Sequence, residues 1–235
     1  LIFSVIFFSC GSSKKIGERK RISSQVMALT LESSTISEFH DSLMMYYELV
    51  GEKQKQHQGD WVTSKGYLPL PDINIPKELI EDRTILRDRD WGTKADWRDT
   101  MLKHGFNKEN TKMWCVDHEN LPQDFLTILE TMPIKHPVFT LNIQPPGSTV
   151  PAHEDTWRIW YDKHPDLAKK YTFEDTVFFI VFLEDQLIGQ SFSAGVTQVA
   201  WKKGAAIQMP YYCKHATSNA SFKNKMLVQC LGIKT

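Results

Sequence analysis

The sequence lacks paired cysteines and an excess of either charge. Its four cysteines among 235 residues form no C-x-x-C pair, which excludes a zinc ribbon and a disulfide framework. The 28 basic and 28 acidic side chains cancel to a formal charge of +0, so composition provides no general attraction to nucleic acid or to an anionic membrane. We therefore expect a reduced, cytoplasmic protein with free thiols and no nucleic-acid partner.

Long hydrophobic runs are missing as well. The apolar stretch at residues 1–9 is far shorter than the roughly 20 residues that cross a bilayer. Its basic residues follow it, whereas a secretory signal has them in front. We predict no membrane span and interpret residues 1–26 as a disordered leader or non-native extension before Met27, with membrane or secretory targeting as the alternative.

The chain does contain enough bulky apolar mass for a core. Hydrophobic residues make up 41%, with 7 tryptophans and 13 phenylalanines, which excludes disorder over the whole length. Apolar side chains recur at helical spacing in residues 36–50 and again in residues 122–132. We therefore predict that residues 27–132 form a mainly helical N-terminal region.

After residue 133 the pattern is typical of β-strands. Residues 137–144 alternate apolar and polar, with Asn142 and Gln144 on the polar face, and a Pro-Pro-Gly turn follows. Residues 176–183 are continuously apolar, as in a strand covered on both faces. Several shorter strand candidates separated by turn residues favour a sandwich or barrel over a βαβ sheet.

Three residues predict a metal site. His153 and Asp155 are two apart on an extended segment, so their side chains point to the same side. His215 on a neighbouring strand would complete one triangular face of an octahedron. Two histidines and one carboxylate are the ligand set of non-haem Fe(II) oxygenases, and they leave the other positions free for cosubstrate and O2.

The spacing of His153 and Asp155 is not specific by itself. His164 and Asp166 have the same spacing, and a chain with 8 histidines and 28 acidic residues would show such a pair by chance. His164 precedes a proline and a helix-start pattern, so we interpret it as an exposed capping turn. His153 instead follows a strand with a polar inward face, and it lacks the second histidine of H-E-x-x-H.

Residues 139–232 contain a series of motifs, which are Leu-Asn-Ile-Gln-Pro-Pro-Gly, His-Glu-Asp, Trp-Lys-Lys-Gly at residues 201–204 and His-Ala-Thr-Ser-Asn at residues 215–219, with a basic residue ten beyond that histidine. Through these motifs the sequence resembles the Fe(II)/2-oxoglutarate-dependent oxygenase superfamily. The resemblance is greatest to proteins similar to aspartyl/asparaginyl β-hydroxylases and to related phage and bacterial oxygenases. That family folds as a double-stranded β-helix, a cupin-like jelly roll. Nothing before residue 120 matches its pattern.

The resemblance implies roles for individual residues. His153, Asp155 and His215 would bind Fe(II), and Lys225 would bind the distal carboxylate of 2-oxoglutarate, although many relatives carry Arg there. Lys223 is the rival for that role, because Lys225 could instead be a solvated turn residue. With O2, such an enzyme would hydroxylate a small molecule or an amino-acid or peptide side chain and release succinate and CO2.

Four further residues are candidates for ligand binding. Asn142 and Gln144 would point into the barrel, where they could bind cosubstrate or substrate or be satisfied by each other or by water. Arg158, just past the metal ligands, could clamp a substrate carboxylate, or it could be a surface residue. Trp157 could line a substrate groove, or it could pack against the N-terminal helices. Cys213 we expect to be a small packed hydrophobe and not a ligand.

The expected fold class is α+β, with the helical region at residues 27–132 and a double-stranded β-helix catalytic core at residues 133–235. Two other functions stay open. A cupin-type metalloenzyme of another reaction class would not use 2-oxoglutarate and would need no buried cation near its metal. A non-catalytic jelly-roll binding module would have no reason to keep three convergent ligands.

Overall fold

The computed structural model describes residues 48–86, 95–155, 157–168 and 170–235. The predicted leader at residues 1–26 and most of the predicted helix at 36–50 lie outside these residues. Within the described ranges, no helix is long and apolar enough to cross a membrane.

Five helices lie in the described part of the chain. They are α1 (residues 48–56), α2 (Ala95–Lys103), α3 (Gln123–Leu129), α4 (Arg158–Lys163) and α5 (Pro165–Ala168). Short 3-10 helices occur at Lys77–Leu79, His118–Asn120 and Phe173–Asp175. Helix α3 confirms the helix predicted after Pro122, and its buried face consists of Phe125, Leu126 and Leu129.

The described strands number eleven. They are β1 (Thr63–Tyr67), β2 (Glu81–Asp82), β3 (Trp114–Asp117), β4 (Ile134–Gln144), β5 (Ser148–His153), β6 (Thr176–Phe182), β7 (Gln190–Ala194), β8 (Thr197–Gln198), β9 (Ala205–Met209), β10 (His215–Asn219) and β11 (Lys225–Lys234).

These strands form two antiparallel sheets. The large sheet has the order β1-β9-β6-β11-β4-β3-β2, and the small sheet has the order β5-β10-β7-β8. From β4 onward the chain crosses repeatedly from one sheet to the other, since β4, β6, β9 and β11 belong to the large sheet and β5, β7, β8 and β10 to the small one. This alternation is the jelly-roll architecture, and it confirms the predicted fold class.

Strand β6 is continuously apolar because both of its faces are buried. All seven of its residues are buried. Phe178, Ile180 and Phe182 belong to the cluster between the two sheets. Val177, Phe179 and Val181 belong to a second cluster, which includes the buried face of α3 on the outer side of the large sheet. Each such side chain contributes about 1.5–3 kcal/mol by leaving water, so β6 stabilises both layers.

The large sheet extends beyond the expected boundary at residue 133. Strands β1, β2 and β3 come from residues 63–117 and lie at its two ends, so the described part of the N-terminal region supplies strands as well as helices. Every residue of β1 and β2 is exposed. Short edge strands of this kind have no buried face and therefore no hydrophobic alternation that would predict them.

Candidate metal centre

The last residue of β5 and the first residue of β10 define the centre of the site. His153 and His215 are register partners across these two strands, and their ring centroids are 4.4 Å apart. Asp155 follows β5 by two residues, with one carboxylate oxygen 3.9 Å from His153 Nε2 and the other 3.5 Å from His215 Nε2. One ligand atom from each of the three residues lies within 4.8 Å of the others.

Backbone carbonyls orient both imidazoles. His153 Nδ1 lies 2.9 Å from the Pro151 carbonyl, and His215 Nδ1 lies 3.1 Å from the Cys213 carbonyl. A carbonyl only accepts, so each Nδ1 donates its hydrogen to that carbonyl, and Nε2 is the ring nitrogen left to face Asp155. The pKa of His215 is lowered to about 4, mainly by burial and secondly by the electrostatic effect of the neighbouring His153. His215 is therefore held in its neutral form, the form that binds a metal.

A glutamine that the sequence did not single out orients the carboxylate. Gln229 on β11 donates from Nε2 to Asp155 Oδ2 at 2.8 Å. Period-two alternation along β11 places this residue on the inward face, and that alternation was the available signal. Hydrogen bonds of this kind hold metal ligands in place and are important to metal affinity.

Glu154 lies between His153 and Asp155 in the sequence, but its carboxylate contacts residues outside the His153–Asp155–His215 cluster. Its carboxylate accepts a hydrogen bond from Gln54 on α1 at 2.9 Å and lies 3.4 Å from Lys214 Nζ. It is therefore not part of the metal cluster. No local sequence signal connects residues 54 and 154, because their proximity arises only in the folded chain.

Lys225 is a buried cation inside the barrel. Its side chain is 2% exposed, and Nζ donates to the Ser191 carbonyl at 2.6 Å, to the Ser218 carbonyl at 3.3 Å and to the Thr217 hydroxyl. Among the described residues no carboxylate lies within 4.0 Å of it. Burial lowers its pKa to about 7, because an ammonium group loses hydration there without gaining an opposite charge. Lys223, the rival candidate, is exposed.

The two polar residues predicted on β4 differ in their surroundings. Gln144 is buried, donates to the carbonyls of Ser148 and Thr217, and accepts from the Thr217 hydroxyl at 3.1 Å. Its amide therefore links the two sheets beside Lys225. Asn142 is half-buried, and its amide has no hydrogen-bond partner in the part of the chain that the structure describes. A role in ligand binding remains a prediction for both residues.

The candidate substrate residues lie past the ligands. Trp157 is 2% exposed, and its backbone has the left-handed conformation, with φ of 62°. Its indole packs edge-on against Phe178 at 6.4 Å, and the ring of Phe178 lies 5.5 Å from that of His215. Within the described residues its Nε1 hydrogen has no acceptor. Trp157 is thus separated from the metal ligands by one ring. The side chain of Arg158 lies outside the described residues.

The rival histidine and the cysteine lie apart from the cluster. His164 follows α4 and directly precedes α5, which begins at the expected proline, but its ring is half-buried. Cys213 is buried in the cluster between the sheets, and burial raises the pKa of its thiol to about 12. Cys213 therefore behaves as the packed hydrophobe that we expected.

No protein-family profile and no curated protein matches the sequence. Solved structures of cupin proteins do match. A predicted oxalate decarboxylase from Thermotoga maritima is 13% identical with a TM-score of 0.32, over 52% of this chain and 81% of its own. A Cupin 2 conserved barrel domain protein from Salinispora arenicola CNS-205 is 8% identical with a TM-score of 0.32, over 52% of this chain and 76% of its own. KdgF from Halomonas sp. is 6% identical with a TM-score of 0.32, over 52% of this chain and 80% of its own.

Proposed function

We propose that the chain is an Fe(II)- and 2-oxoglutarate-dependent oxygenase that hydroxylates a small molecule or an amino-acid or peptide side chain. The single observation that supports the cosubstrate is Lys225, a buried ammonium group without a carboxylate partner in the described part of the barrel. A dicarboxylic acid would provide the missing opposite charge.

The residues present fit a ferrous ion. The Nε2 atoms of His153 and His215 lie 3.9 and 3.5 Å from the two Asp155 carboxylate oxygens, and two imidazoles with one carboxylate match Fe(II) chemistry. His153, Asp155 and His215 would hold the ion, which would supply the chemistry for coupling oxidative decarboxylation of 2-oxoglutarate by O2 to oxidation of a substrate C–H bond, with release of succinate and CO2.

The chain's own residues bind and orient. Lys225 and the Thr217 hydroxyl would hold the distal carboxylate of the cosubstrate. Gln229 keeps Asp155 in one orientation. The apolar walls between the sheets, including Phe178 and Phe192 beside His215, would exclude water from the reacting groups and limit side reactions.

One observation favours the alternative, a cupin-type metalloenzyme that does not use 2-oxoglutarate. Lys225 already makes three hydrogen bonds inside the barrel, to Ser191, Thr217 and Ser218. In that function the lysine would link the two sheets and would bind no cosubstrate.

Succinate release distinguishes the two functions. Purified protein with Fe(II) would be titrated with 2-oxoglutarate while amino acids and peptides are screened as substrates. We expect succinate from the wild type and a KM for 2-oxoglutarate raised about 30-fold or more in Lys225→Met, since an unmatched buried charge costs about 2–5 kcal/mol. Lys223→Met is the control and should match the wild type. Metal binding without any succinate release would favour the alternative.

A further inference from the structure

We propose that Gln54 is a positioning residue for the metal centre, through which helix α1 holds together the two segments that carry the metal ligands. The inference rests on the proposed metal site, and it concerns a residue that is 100 positions from Glu154, the neighbour of the first ligand.

One amide nitrogen makes both connections. Gln54 Nε2 donates to Glu154 Oε1 at 2.9 Å and to the Tyr212 carbonyl at 2.8 Å. Glu154 lies directly between the ligands His153 and Asp155, and Tyr212 precedes the ligand His215 by three residues. A single side chain therefore joins the segment after β5 to the segment before β10.

The chain that follows α1 supports the same connection. His57 Nδ1 lies 3.0 Å from the Tyr212 hydroxyl, and the His57 ring stacks on Trp61 at 3.8 Å. Trp61 in turn packs on Gly195, where a Cβ atom would lie 2.3 Å from its ring carbons. The Gly195 N–H donates to the Lys214 carbonyl at 2.7 Å. Residues 54–61 thus contact both sides of the site.

These contacts matter because part of the site lies outside regular structure. Asp155 and residues 210–214 are not in strands, so sheet hydrogen bonds do not fix their positions. Metal affinity falls when ligands are free to move apart, and the loss of a supporting hydrogen bond typically lowers it about 10- to 100-fold. For Gln54, which acts on the segments and not on the ligand side chains, we expect the lower end.

The test is a Co(II) titration of the full chain, followed by visible absorption, with melting temperatures of the metal-free proteins measured in parallel. Gln54→Leu removes both hydrogen bonds. Gln56→Leu makes the same change at an exposed position of the same helix and is the matched control. Glu154→Gln keeps an oxygen that can accept from Gln54, whereas Glu154→Ala does not.

We expect Gln54→Leu and Glu154→Ala to weaken Co(II) binding about tenfold, with wild-type affinity in Gln56→Leu and near wild-type affinity in Glu154→Gln. A Gln54→Leu protein that melts lower but binds Co(II) as tightly as the wild type would assign the glutamine a purely structural role and overturn the proposal. If the wild type itself binds no Co(II), the proposed metal site fails together with this inference.

Discussion

At the scale of single residues, the barrel contains polar groups whose burial needs an explanation. Lys225 is held by two carbonyls and one hydroxyl, and none of these carries a charge. Buried ammonium groups are destabilising unless an anion accompanies them. Asp155, by contrast, accepts a hydrogen bond from Gln229 and has the imidazoles of His153 and His215 beside it. The proposed dicarboxylate would supply the anion that the described residues do not place beside Lys225.

The lowered pKa of Lys225 predicts a pH dependence. Its folded pKa of about 7 lies below the ordinary 10.5, so between these values the unfolded chain binds more protons and stability rises with pH. A dicarboxylate needs the protonated amine, so its affinity should fall up to tenfold per pH unit above about 7, and binding should take up a proton only above that pH.

Calorimetric titration of 2-oxoglutarate into metal-loaded protein without O2, in buffers of different ionisation enthalpy, measures both effects. Lys225→Arg should bind with little pH dependence over this range, because a guanidinium stays charged. Affinity that is independent of pH in the wild type would show that the Lys225 ammonium is not the anchor.

Gln229 leads to a second prediction at this scale. Gln229→Leu removes the hydrogen bond from Gln229 Nε2 to Asp155 Oδ2 and should lower Co(II) affinity about 10- to 100-fold, with little loss of stability. Gln208→Leu on β9, which is also half-buried in the large sheet, is the control in the same titration. Equal affinity in the two variants would show that Asp155 is oriented without Gln229.

At the scale of elements, the side chains of β6 form a large part of the hydrophobic core, whereas the loop between β10 and β11 contributes almost nothing to it. Phe179 on β6 is 1% exposed, whereas Phe222 in that loop is fully exposed. The same side chain therefore contributes very different amounts of buried area, since burial and not residue type sets the hydrophobic contribution.

This contrast gives a stability prediction. Phe179→Ala should lower the free energy of unfolding by about 3–5 kcal/mol, because it leaves a cavity beneath α3. Phe222→Ala should change it by less than about 0.5 kcal/mol. Urea denaturation followed by tryptophan fluorescence measures both. A similar loss in the two variants would contradict the assignment of Phe179 to the outer core of the large sheet.

At the scale of the whole molecule, metal binding should stabilise the fold. The ligands come from β5, β10 and the segment between β5 and α4, so the ion would connect strands across the small sheet. A ligand that binds only the folded state at 100 times its Kd adds about 2.7 kcal/mol to the free energy of unfolding, which corresponds to a rise in Tm of several degrees for a chain of this size.

Thermal unfolding with and without Co(II) tests this stabilisation. We expect the Tm of the wild type to rise with Co(II) and that of His215→Ala to stay unchanged. His164→Ala, which removes the rival histidine, should keep the full rise. A rise that disappears in His164→Ala and persists in His215→Ala would place the metal at the rival pair.

The sequence by itself determined the β architecture of the C-terminal half and named the candidate residues of the metal site. Alternation in β4 and the apolar run of β6 predict strands because each residue's side is set by a period of two. The spacing of His153 and Asp155 predicts shared direction for the same reason. These signals are local, so they can be detected before the chain is folded.

Only the tertiary structure decided the rest. It brought His215 opposite His153 and left His164 apart, although both pairs have the same spacing. It buried Lys225 and exposed its rival two residues away. It also placed Gln54 against Glu154 and added three N-terminal strands to the large sheet. Such contacts join residues separated by tens to a hundred positions, and they depend on how the two sheets pack, which no local pattern encodes.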